Sequence, residues 1–338
     1  MWIGVVGAGV VVVAATALLV GTRSDSDAPS TPELAGSTET TGRPGTTGTT
    51  AGKATTPGGA YAPQVVAIKV GRNASGVAIT PRSVWVSNYD DGTVTQLDPA
   101  SGQVVATIPV GKGGGDIVAC SDAVWVISDS RRVARIDAAT GKVTDRFEMG
   151  VTVVDLAVRC GDSVWASADD GSIRRLRQGA TSAESFLRPS TETLSDIDVD
   201  GQGVLWTSAT KGNAVLRVDP TTKNIQRIAV GKAPIGIAAN QSGALWVTSS
   251  AANTVTRIDP ASNKVVATYP VGQQPWGVAV GLGAVWITNL GGDSVSRIED
   301  GSGTVTSITV GSKPDGIAIG HGAVWVANGG SATVSRIT

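Results

Sequence analysis

Short runs in which apolar and polar residues alternate, four to roughly every forty positions, fill the chain from residue 61 to its end. One run sets a tryptophan among small residues: SVWVSN, AVWVIS, SVWASA, VLWTSA, ALWVTS, AVWITN and AVWVAN in successive copies. These tryptophans are Trp85, Trp125, Trp165, Trp206, Trp246, Trp286 and Trp325, spaced 40, 40, 41, 40, 40 and 39 residues apart. Ten or eleven residues after each comes a second run: VTQLD, VARID, IRRLR, VLRVD, VTRID, VSRIE and VSRIT. A third run of the KVVATYPVG kind follows in most copies, then a glycine-rich lead into a fourth such as IGIAA or WGVAV. Short period-two runs bounded by turn residues predict strands. Four strands per forty residues predict a propeller blade. The expected fold is therefore all-β, a seven-bladed β-propeller over residues 61–338.

The ends of the repeat favour a closed ring over an open stack. The last copy stops at TVSRIT, its third strand. QVVAIKVG, residues 64–71, matches the fourth-strand run QVVATIPVG at residues 103–111 but lacks the three strands that should precede it. Pairing residues 64–70 beside 333–337 completes the seventh blade and removes the exposed sheet edges.

The register can be counted as well. With the loop SAAN at residues 250–253, Ser249 falls opposite Thr254 and Trp246 opposite Arg257. The same separation recurs for Trp206 and Arg217, Trp286 and Arg297, and Trp325 and Arg336; it is one shorter for Trp125 and Arg135 and for Trp165 and Arg175. A cross-strand guanidinium can stack on the indole for roughly 0.5–2 kcal/mol. Blade one carries Gln96 instead.

Residues 2–21 break the pattern: twenty uncharged residues in succession. As a helix they would span about 30 Å, a bilayer core, so a transmembrane signal-anchor over residues 1–21 is expected, with a cleaved signal peptide as the alternative. No charged side chain precedes it, and one explanation is that Met1 is an internal start with a cytoplasmic portion before it. Residues 22–60 hold almost no large apolar side chain and read as a disordered Ser/Thr/Pro/Gly-rich linker. The propeller is then expected outside the cytoplasm, tethered to the membrane.

Composition narrows the partners. The formal net charge is −1 with no block of like charge, which removes nucleic acid from the expected partners. Cys120 and Cys160, each five residues before its blade's tryptophan, are the only cysteines. A disulfide between neighbouring blades is the expectation and two buried thiols the alternative.

The frames V-W-V-x-N, V-x-R-I-D-P and V-G-x-x-P-x-G-I-A, as in residues 246–250, 255–260 and 271–278, resemble the YVTN-type repeat and the streptogramin (virginiamycin B) lyase-like superfamily of seven-bladed propellers. The resemblance implies the fold over residues 64–338. It also implies a possible activity, the opening of a cyclic depsipeptide by a histidine base with a bound magnesium ion. This chain has one histidine, His321, in the turn between the first and second strands of blade seven. That turn belongs to the face opposite the one where propellers usually bind, so His321 is expected to be a solvated turn residue.

A ligand site is sought where the repeat is broken. The residues before each inner strand ring the channel mouth, and Trp276 is the one propeller tryptophan outside the seven-fold register. Gln273, Gln274, Lys232, Lys313 and Asp315 lie beside it, with Tyr89 and Asp90 on a nearby loop. This set suits a small polar ligand, glycan or peptide; a lid role for Trp276 is the alternative. Asp116, Asp155 and Asp196 replace glycine in three consecutive blades. They are candidate ligands for Ca²⁺ or Mg²⁺, against the ordinary role of an aspartate capping its own turn; otherwise no cofactor is expected. The functional expectation is a monomeric, membrane-anchored binding or sensing module, in one variant the sensor half of a bacterial transmembrane Ser/Thr kinase. The alternatives are a magnesium-dependent lyase and a protein-binding scaffold.

Overall fold

The computed structural model describes residues 62–338 apart from 114, 161–162, 178 and 240–242. The expected anchor and linker lie outside the described residues. Among the described residues, no helix is long and apolar enough to cross a membrane.

Seven four-stranded antiparallel sheets are arranged as blades. Their innermost strands, A, are Ala74–Thr80, Ile117–Cys120, Val153–Val158, Leu194–Val199, Pro234–Ala239, Pro275–Gly281 and Pro314–Gly320. Each touches the next, and the last touches the first, so the strands surround a central channel. In six blades, strands A to D follow one another in sequence. In blade seven the outer strand is Val65–Lys69, paired antiparallel with Thr333–Ile337 from Val65–Ile337 to Lys69–Thr333. The N-terminal strand closes the ring, as the repeat's ends predict.

Burial follows distance from the axis. Strand B of blade one, Ser83–Asn88, is buried at all six positions because both sheet faces meet neighbouring blades. Strand D, Val104–Pro109, is mostly exposed. The core therefore lies between blades. Trp85 packs with Val124, Ala134 and Ile136 of blade two, and Trp325 packs with Val84, Val86 and Leu97 of blade one.

The counted register holds in every blade: Trp246 opposes Arg257, and in blade one Trp85 opposes Gln96. Guanidinium carbons lie 4.8 Å (Arg175 over Trp165) to 6.0 Å (Arg257 over Trp246) from the ring centroids. Gln96 Nε2 donates to Ser83 Oγ at 2.9 Å, and Arg175 Nε makes the corresponding bond to Ser163 Oγ at 2.8 Å. In these two blades the polar head thus has a second anchor, whether Gln or Arg carries it.

Cys120 and Cys160 are bonded, with their Cα atoms 5.3 Å apart and 40 residues between them in sequence. The bridge joins the ends of the inner strands of blades two and three. Closing a loop of that length restricts the unfolded chain by about 4 kcal/mol on the loop-entropy model. Reduction, or the double change Cys120→Ser with Cys160→Ser, is expected to lower the urea midpoint and to raise the m-value, because the unfolded chain expands once the crosslink is gone. Equal midpoints would show that the bridge does not stabilise the fold.

Candidate functional site

The innermost strands are sheet edges facing a channel, and their free N–H groups need acceptors. In each of blades two, three and four, an aspartate of strand A supplies one to the strand beside it. Asp116 accepts from Leu156 N at 3.2 Å, Asp155 from Ile197 N at 3.0 Å and Asp196 from Ile237 N at 2.7 Å. Asp198 accepts from Ala239 N at 2.8 Å. These carboxylates therefore tie blade to blade and do not cap their own turns.

Elsewhere the link is a hydroxyl. Thr248 Oγ1 accepts from Gly236 N at 2.8 Å and donates to the Trp276 carbonyl at 2.7 Å. Thr288 Oγ1 repeats this with Gly277 N and the Asp315 carbonyl. The backbones come so close that a Cβ on Gly236 would collide with the Trp276 carbonyl oxygen. Glycine is required there by the approach of the next blade.

The channel has a volume of about 280 Å³, and its lining includes Asp116, Asp155, Asp196, Asp198, Asp315 and Trp276. No Lys, Arg or His is among the described residues that line it. Burial, unrelieved by any cation, pushes these carboxyls above the ordinary range. Asp155 rises well above it, first through burial and then through the charges of Asp116 and Asp196. Burial raises Asp116 as well, against bonds from Asp155 and from backbone N–H groups. Asp196 is raised to about 6, chiefly by burial. Asp198 is raised to about 7 by burial, with Asp196 and Asp200 adding to it. Asp315 rises well above the usual value through burial and Asp116, opposed by a hydrogen bond from the Trp276 side chain. Asp116, Asp155 and Asp196 thus form a coupled cluster of carboxyls across three blades, with Asp198 and Asp315 beside them.

The magnesium ion implied by the resemblance does not fit these residues as placed. Their oxygens are engaged by backbone N–H groups and by one another. Among the described residues, no group of three or more His, Cys, Asp or Glu is arranged to hold a metal.

The structure brings only part of the expected ligand set together. Trp276 and Asp315 line the channel, with Trp276 half-buried. Gln273, Gln274, Lys232 and Lys313 are exposed on loops leading into strand A and do not line it. Gln274 and Lys313 are left-handed turn residues, with φ of 50° and 52°. Their N–H groups are held by Asn253 Oδ1 and Asp293 Oδ1, each at 2.9 Å. Asp90 accepts from Asn73 Nδ2 at 3.2 Å, and the half-buried Tyr89 donates its N–H to the Asn73 carbonyl at 2.9 Å. Asp198, absent from the expected set, had a legible signal: it stands two residues after Asp196 and so on the same face of one strand.

His321 is exposed and left-handed, with φ of 52°, like Ser121 and Leu282 at the equivalent turns. Its Nε2–H donates to the Thr80 carbonyl of blade one at 2.9 Å. It does not line the channel.

Fold and channel together define a closed seven-bladed propeller of the lyase-like type with an acidic axial channel. The chain belongs to the virginiamycin B lyase family, whose model matches residues 64–337. Among solved structures, a streptogramin B lyase is similar at 17% identity, covering 82% of this chain and 97% of that one, with a TM-score of 0.73. The virginiamycin B lyase of Staphylococcus aureus is similar at 16% identity over 82% and 99%, with a TM-score of 0.73. A catalytically inactive histidine-to-alanine variant of that enzyme, solved with quinupristin, gives 17% and 0.71 over the same shares. At these identities the likeness shows the fold. No curated protein matches the chain.

Proposed function

We propose that this propeller is a ligand-binding module whose channel mouth takes a small polar ligand bearing cationic or hydroxyl donors, such as an amino sugar or a short basic peptide. The observation that carries the reading is Trp276. It is the one propeller tryptophan outside the repeat, it is half-buried, and it lines the channel together with Asp315. An indole face beside acceptor oxygens suits a ring with donors at its edge. The expected result is that the full chain binds a chitosan tetramer more tightly than the neutral chitin tetramer by calorimetry, and that Trp276→Ala weakens this at least tenfold. Equal binding of the two sugars, or binding indifferent to Trp276, would sink the reading.

Membrane display is part of the same proposal. It is supported by the uncharged run at residues 2–21 and by a disulfide of the kind kept in oxidising compartments. Recovery of the protein in the soluble fraction of lysed cells would contradict it. The kinase-sensor variant requires a longer native chain, visible as a band well above 34.0 kDa.

Family membership favours one second reading, a lyase that opens streptogramin B rings. It predicts that the full chain converts quinupristin to a linear product detectable by mass. The location of the single histidine away from the channel weighs against it.

A further inference from the structure

Six of the seven repeat tryptophans are buried, none more than 7% exposed; Trp125 alone is half-buried. After the third strand, blades one, two, four and five place an aspartate, Asp98, Asp137, Asp219 or Asp259, whose carboxylate takes the N–H groups of the following turn. At the corresponding position blade three has Arg177. The space left between blades two and three is a groove of about 610 Å³.

The groove is built for a particular chemistry. Trp125 and Phe147 supply an aromatic wall, with ring centroids 5.4 Å apart. The Arg135 guanidinium stands 5.7 Å from the Trp125 ring centroid, and Arg159 and Arg177 come from blade three. Among the described residues, its lining holds four arginines (these three and Arg146) against two carboxylates, Asp122 and Asp145. Arg146 bonds the Val110 carbonyl, Arg135 is 3.7 Å from Asp145, and Arg177 is paired with Glu184 at 2.9 Å. Arg159 donates to the Gly201 carbonyl at 3.3 Å and makes no ion pair among the described residues. The Cys120–Cys160 bridge lies in the same lining and holds the two blades at a set distance, so the site is preorganised.

We propose that this groove binds a small planar aromatic anion, an aromatic carboxylate in the first instance. Its ring lies against Trp125 and Phe147, and its carboxylate is taken by Arg159 with Arg177. Planar guanidinium groups match a carboxylate in geometry as well as charge, and an aromatic ring gains from edge or offset contact with the indole. This site is separate from the channel and does not depend on the reading of Trp276.

The probe is 2-naphthoate, titrated calorimetrically into the full chain, with 2-naphthylmethylamine as the cation of the same shape. Naphthoate is expected to bind and the amine not to. Arg159→Glu, at an exposed position, is expected to weaken naphthoate at least tenfold, and Trp125→Leu similarly. If the Trp125 variant fails to fold, Arg159→Glu carries the test alone. Absence of naphthoate binding at millimolar concentration, equal binding of the amine, or affinity unchanged in Arg159→Glu would overturn the proposal. Loss of naphthoate binding in Trp276→Ala would place the anion in the channel and overturn it too.

Discussion

At pH 8 the propeller is expected to melt about 5 °C below its melting temperature at pH 5.5, the reverse of what a carboxylate-rich surface would give. The reason is the channel cluster. Asp196 and Asp198 titrate at about 6 and about 7 in the folded chain, against about 3.9 for an unfolded aspartate. Between those values the native state holds more protons than the unfolded state, so stability falls as pH rises. Each pKa unit is worth about 1.4 kcal/mol. Between pH 5.5 and 8, ionising Asp198 therefore costs at most about 2 kcal/mol and ionising Asp196 about 0.7 kcal/mol more, less whatever channel water returns by solvation. For a chain of this size 1 kcal/mol moves the melting temperature by about 2 °C. The groups facing Asp198 and its neighbours are themselves acidic: Asp116, Asp155, Asp196, Asp200 and Asp315.

The surface turns act in the opposite sense at lower pH. Asp98, Asp137, Asp219 and Asp259 are held below the usual range by hydrogen bonds from their own turns. What they contribute is present above pH 4 and lost as pH falls through their folded pKa values. Maximum stability is thus expected near pH 4, where the two opposing slopes meet. Asp198→Asn keeps an acceptor for Ala239 N–H and cannot ionise, so it should raise the melting temperature at pH 8 and flatten the profile. A wild-type melting temperature at pH 8 equal to that at pH 5.5 would mean that these carboxyls do not lie together in the channel.

Deleting residues 62–70 is expected to open the ring. The lost strand carries the whole ladder from Val65–Ile337 to Lys69–Thr333, and Gln64 exchanges two further backbone bonds of 3.0 Å with Thr338. Each such bond contributes about 1 kcal/mol net, and burying an isoleucine such as Ile68, which packs on the Trp325 cluster, adds about 2 kcal/mol. The sum of about 5 kcal/mol or more approaches the whole stability margin of an ordinary domain. The strand Thr333–Ile337 would also become an unpaired edge, open to a second copy. Sedimentation should show association, and urea unfolding should begin at lower concentration. A monomeric variant with the parental midpoint would show that some other contact closes the ring.

Much of the site was legible because the repeat supplies its own reference. Trp276 and Asp315 stood out as departures from it, and both line the channel. The loop residues Gln274 and Lys313 stood out equally, yet their role is a left-handed turn held by the previous blade. Sequence distance alone does not separate a residue that breaks the repeat to face a ligand from one that breaks it to make a turn. Asp198 could have been read from its two-residue offset to Asp196.

By itself, the sequence determined the strands, their register and the closure of the ring, because hairpin pairing is local and a period of forty repeats one solution seven times. The Trp–Arg and Trp–Gln pairs follow from the same counting. The tertiary structure alone decided what lies between blades. It bonded Cys120 to Cys160, turned Asp116, Asp155 and Asp196 toward the next blade's N–H groups, and placed five carboxyls around one narrow channel. It also opened the arginine-lined groove at Trp125. These outcomes depend on how far each blade stands from its neighbour, a distance set by packing about a common axis and invisible within any single repeat.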